Sequence, residues 1–184
     1  MRKVNQNYLK PQTSKIKKFR NTAYIALGSN KGIRANYIKG AAAKMSQNPK
    51  ISLQISSSFY ETRPYGNKNQ PEFLNAVIKV KTSYDLMTLL DYLKQLEIEL
   101  GRSKTTKWGP REIDLDLLFF NDEIIKNKKL TLPHQGIKDR DFVLVPLNEI
   151  AWDYFHPALK KKISDICIKD ISKNIIRKTR LKIH

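Results

Sequence analysis

The order in which two apolar periodicities alternate restricts the fold of this chain more than any other feature. AYIALGSN (23–30) is rich in β-formers and ends in turn residues, which predicts a short buried strand. ANYIKGAAAKMSQ (35–47) changes period. Tyr37, Ile38, Ala41, Ala42 and Met45 fall on one helical side, and Asn48-Pro49 stops the helix. ISLQISSSFYET (51–62) and FLNAVIKVKT (73–82) alternate with period two, separated by the loop RPYGNKNQP. Residues 83–101 return to the helical period through Leu86, Leu89, Leu90, Leu93, Leu96 and Leu100. Thr82 or Ser83 is placed to cap that helix, and Gly101 stands where a glycine just past the C-terminus belongs. After the polar loop SKTTKWGP (103–110), EIDLDLLFF (112–120) is another strand. Asn121-Asp122 then signals a turn, and EII (123–125) reads as a short returning hairpin strand. Further on, a strand piece, a loop and a short helix near 142–150 follow. The order β-α-β-β-α-β predicts an α+β fold with a ferredoxin-like βαββαβ core. Its antiparallel sheet carries packed helices, with C-terminal additions.

The 184 residues are enough for one real core. No apolar run reaches the roughly 18 residues of a membrane span, and no apolar segment follows the basic N-terminus as a secretory signal would require. Cys167 is the only cysteine, which excludes an intrachain disulfide and fits a reducing, cytoplasmic setting. The net charge is +18, and the ends carry most of it: +7 in 1–22, +7 in 157–184 and only +4 between. Neither end holds a nucleic-acid motif, so both are expected to be solvated tails rather than a nucleic-acid surface. The expected organisation is a basic extension over 1–22, a catalytic domain over 23–158 and a basic tail over 159–184, in a monomer.

Asp114 and Asp116 interrupt the apolar run WGPREIDLDLLFF (108–120). On a strand they share a face about 7 Å apart, while Ile113, Leu115, Leu117 and Phe119 face the other way. Two carboxylates at that distance repel by roughly 2 kcal/mol at an effective dielectric of 20, so a cation is expected between them. Mg²⁺ suits such a pair, because it takes one or two carboxylates and fills its shell with water and phosphate oxygens. Arg111 lies three residues before Asp114, with Arg102, Lys104 and Lys107 just upstream. Metal ligands beside a cationic loop suit phosphoryl chemistry. No glycine-rich phosphate loop of either common pattern is present, so a nucleotide must be held by metals and side chains.

These residues resemble the 6-hydroxymethyl-7,8-dihydropterin pyrophosphokinase family of folate biosynthesis. KWGPREIDLDLL (107–118) is similar to its signature. YIALGSN, SSFYETRPYGNKNQPEFLNAV (57–77) and PHQGIKDRDFVLVPLNEIA (133–151) resemble three further blocks in the right order. The resemblance spans about 23–153. It implies a ferredoxin-like fold and transfer of pyrophosphate from ATP, the co-substrate, to the pterin hydroxymethyl group, releasing AMP. It further implies two Mg²⁺ ions on Asp114 and Asp116, with catalytic roles for Arg102, Arg111 and Asp116. ATP contacts are implied for Lys94, Glu97, Trp108, Arg111, His134 and Arg140. Pterin contacts are implied for Thr62, Tyr65, Phe73, Asn75 and Phe142. Three positions depart from the family pattern: Lys94 replaces a glutamine, Gln135 an aromatic residue and Lys107 a frequent arginine.

Two other classes fit less well. A dehalogenase-type phosphatase wants Thr or Val where Leu118 stands, on an N-terminal strand. An RNA-recognition domain wants aromatics on the open sheet face, where this chain has carboxylates.

Overall fold

A computed structural model describes residues 19–103, 109–166 and 173–183. The elements run β1 (Asn21–Ser29), α1 (Arg34–Gln47), β2 (Ile51–Ser56), β3 (Ser58–Thr62), β4 (Phe73–Thr82), α2 (Leu86–Glu99) and β5 (Asp114–Phe120). They continue with β6 (Ile125–Lys126), β7 (Thr131–Leu132), α3 (Asp141–Ala151), β8 (Phe155–His156), β9 (Lys161–Lys162) and β10 (Ile175–Lys182). The main sheet has the order β10-β3-β4-β1-β5, with β2 also on β4, and all its pairings are antiparallel. Two crossing helices and this order make the split βαβ arrangement that the periodicities predict.

The alternation of each strand divides the apolar residues between two layers. On one face Ala23, Ile25, Leu27, Ile78, Val80, Leu115 and Leu117 pack against Ile38 and Met45 of α1 and Leu89, Leu93 and Leu96 of α2. On the other face Tyr24, Val77 and Leu118 pack against Val143, Leu144 and Leu147 of α3. Because α3 lies over β3 and β4, the ends of β1 and β5 that carry Gly28 and Asp114 stay uncovered beside it, and a cleft forms there. Among the described residues, no helix is long and apolar enough to cross a membrane.

Several expectations change in detail. The strand over 51–62 is split at Ser57, whose Oγ accepts from Val77 N at 2.9 Å in place of a backbone carbonyl. A side chain entering the ladder bends the strand. α2 is capped by Asp85, whose carboxylate accepts from Thr88 N at 2.8 Å, not by Thr82 or Ser83. Thr82 Oγ1 is already committed to Lys50 O and Tyr84 N. Gly101 does stand past the helix end, at φ +86°. The segment after Asn121-Asp122 pairs as β6 with β7, not back onto β5. Phe119 packs with Tyr24 and Tyr154 rather than beside Leu117, because the β1–β5 register shifts at Tyr24/Ile25. The basic C-terminal stretch is also more than a solvated tail, since β10 hydrogen-bonds to β3 as the sheet's edge. Cys167, Lys104, Lys107, Trp108 and residues 1–18 lie outside the described residues.

Candidate active site

Asp114 and Asp116 stand opposite Gly28 and Ala26 of β1, and the small partners keep the space above the carboxylates open. A Cβ at Gly28 would lie 2.9 Å from Asn75 Oδ1, so glycine is what lets the amide occupy the cleft floor. One cleft is lined by Thr62, Tyr65, Phe73, Asn75, Arg111, Asp114, Asp116, Arg140 and Phe142. An adjoining hollow is lined by Lys94, Asp116, Lys128, Lys129, His134 and Gln135, so Asp116 borders both spaces.

The two aspartates have different surroundings. Asp114 accepts from Arg102 Nη1 at 2.8 Å and lies 3.2 Å from Arg111 Nη1. Asp116 has no ion pair among the described residues. Burial pushes its carboxyl above the ordinary range and the Asp114 charge adds to this, against the opposing charges of Lys94 and Arg140. Burial also works against the charge on Arg102, but Asp114 and Glu97 outweigh it and raise that pKa. His134 is depressed by burial despite the nearby Asp116, which favours the neutral ring. Its Nδ1 accepts from Gly136 N at 3.1 Å, and a neutral ring then carries its proton on Nε2 as a donor.

The other side of the cleft is flat and apolar with one amide edge. Phe73 and Asn75 alternate along β4 opposite Thr62 and Tyr60. Asn75 Nδ2 donates to Thr62 Oγ1 at 2.8 Å, so the amide is held in one orientation with Oδ1 directed toward Gly28. The Tyr65 and Phe142 rings lie 5.9 Å apart at 55°, and the Arg140 guanidinium covers both at 5.1 and 5.9 Å. Arg111 sits 5.5 Å over Phe73, and its Nε is buried without an acceptor among the described residues.

The sequence model of 7,8-dihydro-6-hydroxymethylpterin-pyrophosphokinase matches residues 24–152. The chain is 44% identical over 136 residues to the Haemophilus influenzae 2-amino-4-hydroxy-6-hydroxymethyldihydropteridine pyrophosphokinase, covering 74% of this chain and 85% of that one. It is 46% identical over 131 residues to the Bacillus subtilis protein of the same name, covering 71% and 78%. This chain belongs to the 7,8-dihydro-6-hydroxymethylpterin-pyrophosphokinase family. A solved Plasmodium falciparum HPPK-DHPS structure shares the fold at a TM-score of 0.61 and 19% identity, over 79% of this chain and 44% of that one.

Two residues expected to touch ATP take different places in this pyrophosphokinase-family cleft. Lys94 lines the hollow, 3.0 Å from both Glu97 Oε1 and Leu115 O. Glu97 is 3% exposed and lines neither space. It accepts from Leu115 N at 2.6 Å and lies 2.6 Å from Arg102 Nη1, so it acts as a strut behind β5. Arg102 likewise lines neither space and reaches the site through Asp114.

Sequence reasoning passed over Asn30 and Glu112. Buried Asn30 accepts from Arg111 N at 2.8 Å and donates to Gln70 Oε1 and Pro71 O at 3.1 Å, tying β1 to both cleft loops. Its signals in the sequence are GSN after a strand, which reads as a turn, and its place at the end of the block YIALGSN. Glu112 accepts from Lys31 Nζ at 2.5 Å and from Ser103 Oγ at 2.7 Å, joining the two ends of the 103–110 loop. Burial opposes its ionisation, yet the Lys31 and Ser103 hydrogen bonds hold its pKa down to about 2. A carboxyl depressed from 4.5 to about 2 adds stability that is full above the upper value and lost as pH falls through the lower. Glu112→Gln is therefore expected to flatten the loss of stability between those values, read as the urea midpoint against pH. An unchanged acid limb would rule out this clasp.

Proposed function

We propose that this cleft transfers pyrophosphate from ATP to 6-hydroxymethyl-7,8-dihydropterin, with two Mg²⁺ ions on Asp114 and Asp116 and the pterin over Asn75. The observation that carries the proposal is one cleft with two unlike sides. One side holds the paired carboxylates with Arg111 and Arg140, and the other an amide flanked by aromatic rings.

The donor set fits Mg²⁺. Asp116 is a carboxylate with no protein cation on it among the described residues, two residues from another carboxylate on the same strand face. No cluster of three His, Cys, Asp or Glu ligands exists among the described residues. The chain thus offers two oxygen-donor side chains and leaves the other positions to water and phosphate, the usual mode for this ion. When bound, Mg²⁺ would neutralise phosphate oxygens and orient the transferred group.

The side chains account for the rest. The hydroxymethyl oxygen attacks the β-phosphorus, the bond from that phosphorus to the bridging oxygen breaks, and AMP leaves with this oxygen. The hydroxyl proton is released to solvent. Arg111 lines the cleft and offers its guanidinium where phosphate charge would build up, while Arg102 reaches the site through Asp114. His134 Nε2 and Arg140 supply further donors for phosphate oxygens. Phe73 and Phe142 give a flat heteroaromatic ring its stacking surface, and the fixed Asn75 amide reads its polar edge. No protein nucleophile is needed, because positioning and charge carry the step.

Incubation with ATP, Mg²⁺ and 6-hydroxymethyl-7,8-dihydropterin should yield AMP and the pterin diphosphate in equal amounts. ADP as the stoichiometric nucleotide product would overturn the proposal.

A further inference from the structure

The pterin-side wall comes from two distant segments: Thr62 and Tyr65 at the end of β3, and Arg140 and Phe142 at the start of α3. Both are stitched to a third segment at the start of β10, beyond the residues 24–152 that match the family. Asp141, 4% exposed, accepts from Asn174 N at 2.6 Å, Asn174 Nδ2 at 3.1 Å and Ile175 N at 2.8 Å. On its other side, Asn174 O accepts from Arg63 N at 2.8 Å, and Ile175 stands opposite Thr62. We infer that Asn174, and through it β10, is a positioning element for the pterin pocket that sets the spacing between Thr62 and Phe142.

The physical reason lies in Asp141. A buried carboxylate must keep its donors, and three of them come from residues 174 and 175. Asp141 sits between Arg140 and Phe142, so its position sets theirs. Without those donors it would turn toward water and take the first turn of α3 with it. A second tie runs in parallel: Arg177 reaches Glu61 at 2.7 Å, and Glu61 also holds Arg34 at 2.6 Å. Arg34 Nη1 then donates to Glu72 O at 2.8 Å, next to Phe73. Gaps of about 0.5–1 Å already forfeit much of the contact energy of a packed ring, so the spacing of the walls governs pterin affinity.

The inference rests on the assignment of this pocket to the pterin. It is tested with Asn174→Pro, which removes both donors of residue 174 and keeps its carbonyl. Arg180→Ala, exposed on the same strand, is the control. For Asn174→Pro, KM for the pterin should rise about tenfold, with KM for ATP and kcat within about threefold of wild type. A chain ending at Lys173 should show a larger pterin defect, and if it does not fold, Asn174→Pro decides. A folded Asn174→Pro protein with both KM values unchanged, or raised together, overturns this inference alone. A wild-type chain that forms no AMP overturns the reaction and the inference together.

Discussion

Asp116→Ala is expected to lower AMP formation by about a hundredfold or more, because on the proposed function it removes a Mg²⁺ ligand where transition-state charge would be neutralised. Of the two strand carboxylates it is the one without a protein counter-charge among the described residues, whereas Asp114 is engaged by Arg102 and Arg111. Its removal breaks no ion pair among those residues and relieves a buried charge held beside Asp114, so the variant should fold with at least wild-type stability in the absence of Mg²⁺. The two readouts separate a ligand from a structural residue: lost turnover with a urea midpoint that does not fall identifies the ligand. Turnover within about threefold of wild type would remove Asp116 from the chemistry.

Glu97→Ala is expected to act in the opposite way, through stability first. The carboxylate is 3% exposed and serves Leu115 N, Lys94 and Arg102 at 2.6–3.0 Å. Removing one member of such a buried cluster costs about 3–5 kcal/mol. Lys94 keeps 47% and Arg102 27% of its side chain in solvent, so they recover part of that by hydration. A loss of about 2–4 kcal/mol is the expected result, read from urea unfolding. Glu97→Gln keeps an acceptor for Leu115 N and should lose less. An alanine variant as stable as wild type, or a glutamine variant as damaged as alanine, would discard the strut.

The elements that the sequence specified are those whose pattern is local. The leucine stripe of α2, the small face of α1 and the alternation of β5 each repeat over several turns or pleats, and the structure buries the centre of each: Leu89, Leu93 and Leu96, then Ile38, Ala41, Ala42 and Met45, then Leu115 and Leu117. The D-x-D pair was legible for the same reason, since period two alone puts both carboxylates on one face. Details set by one long-range partner were not legible. Ser57 breaks its strand through a bond to Val77, and Phe119 changes layer because β1 and β5 shift register.

The sequence by itself determined the order of elements, the shared face of Asp114 and Asp116, and the family blocks around them. Only the tertiary structure decided that Asp114 rather than Asp116 is engaged by arginines, that Glu97 supports β5 from behind, and that the basic C-terminus forms the sheet edge. Periodicity is written in neighbouring residues, whereas these contacts, the Arg111–Asp114 pair apart, join positions 12 to more than 100 residues apart. Charge near +7 at the C-terminal end suggested solvation. It did not show that Glu61 and Asp141 lie where Arg177 and Asn174 can reach them.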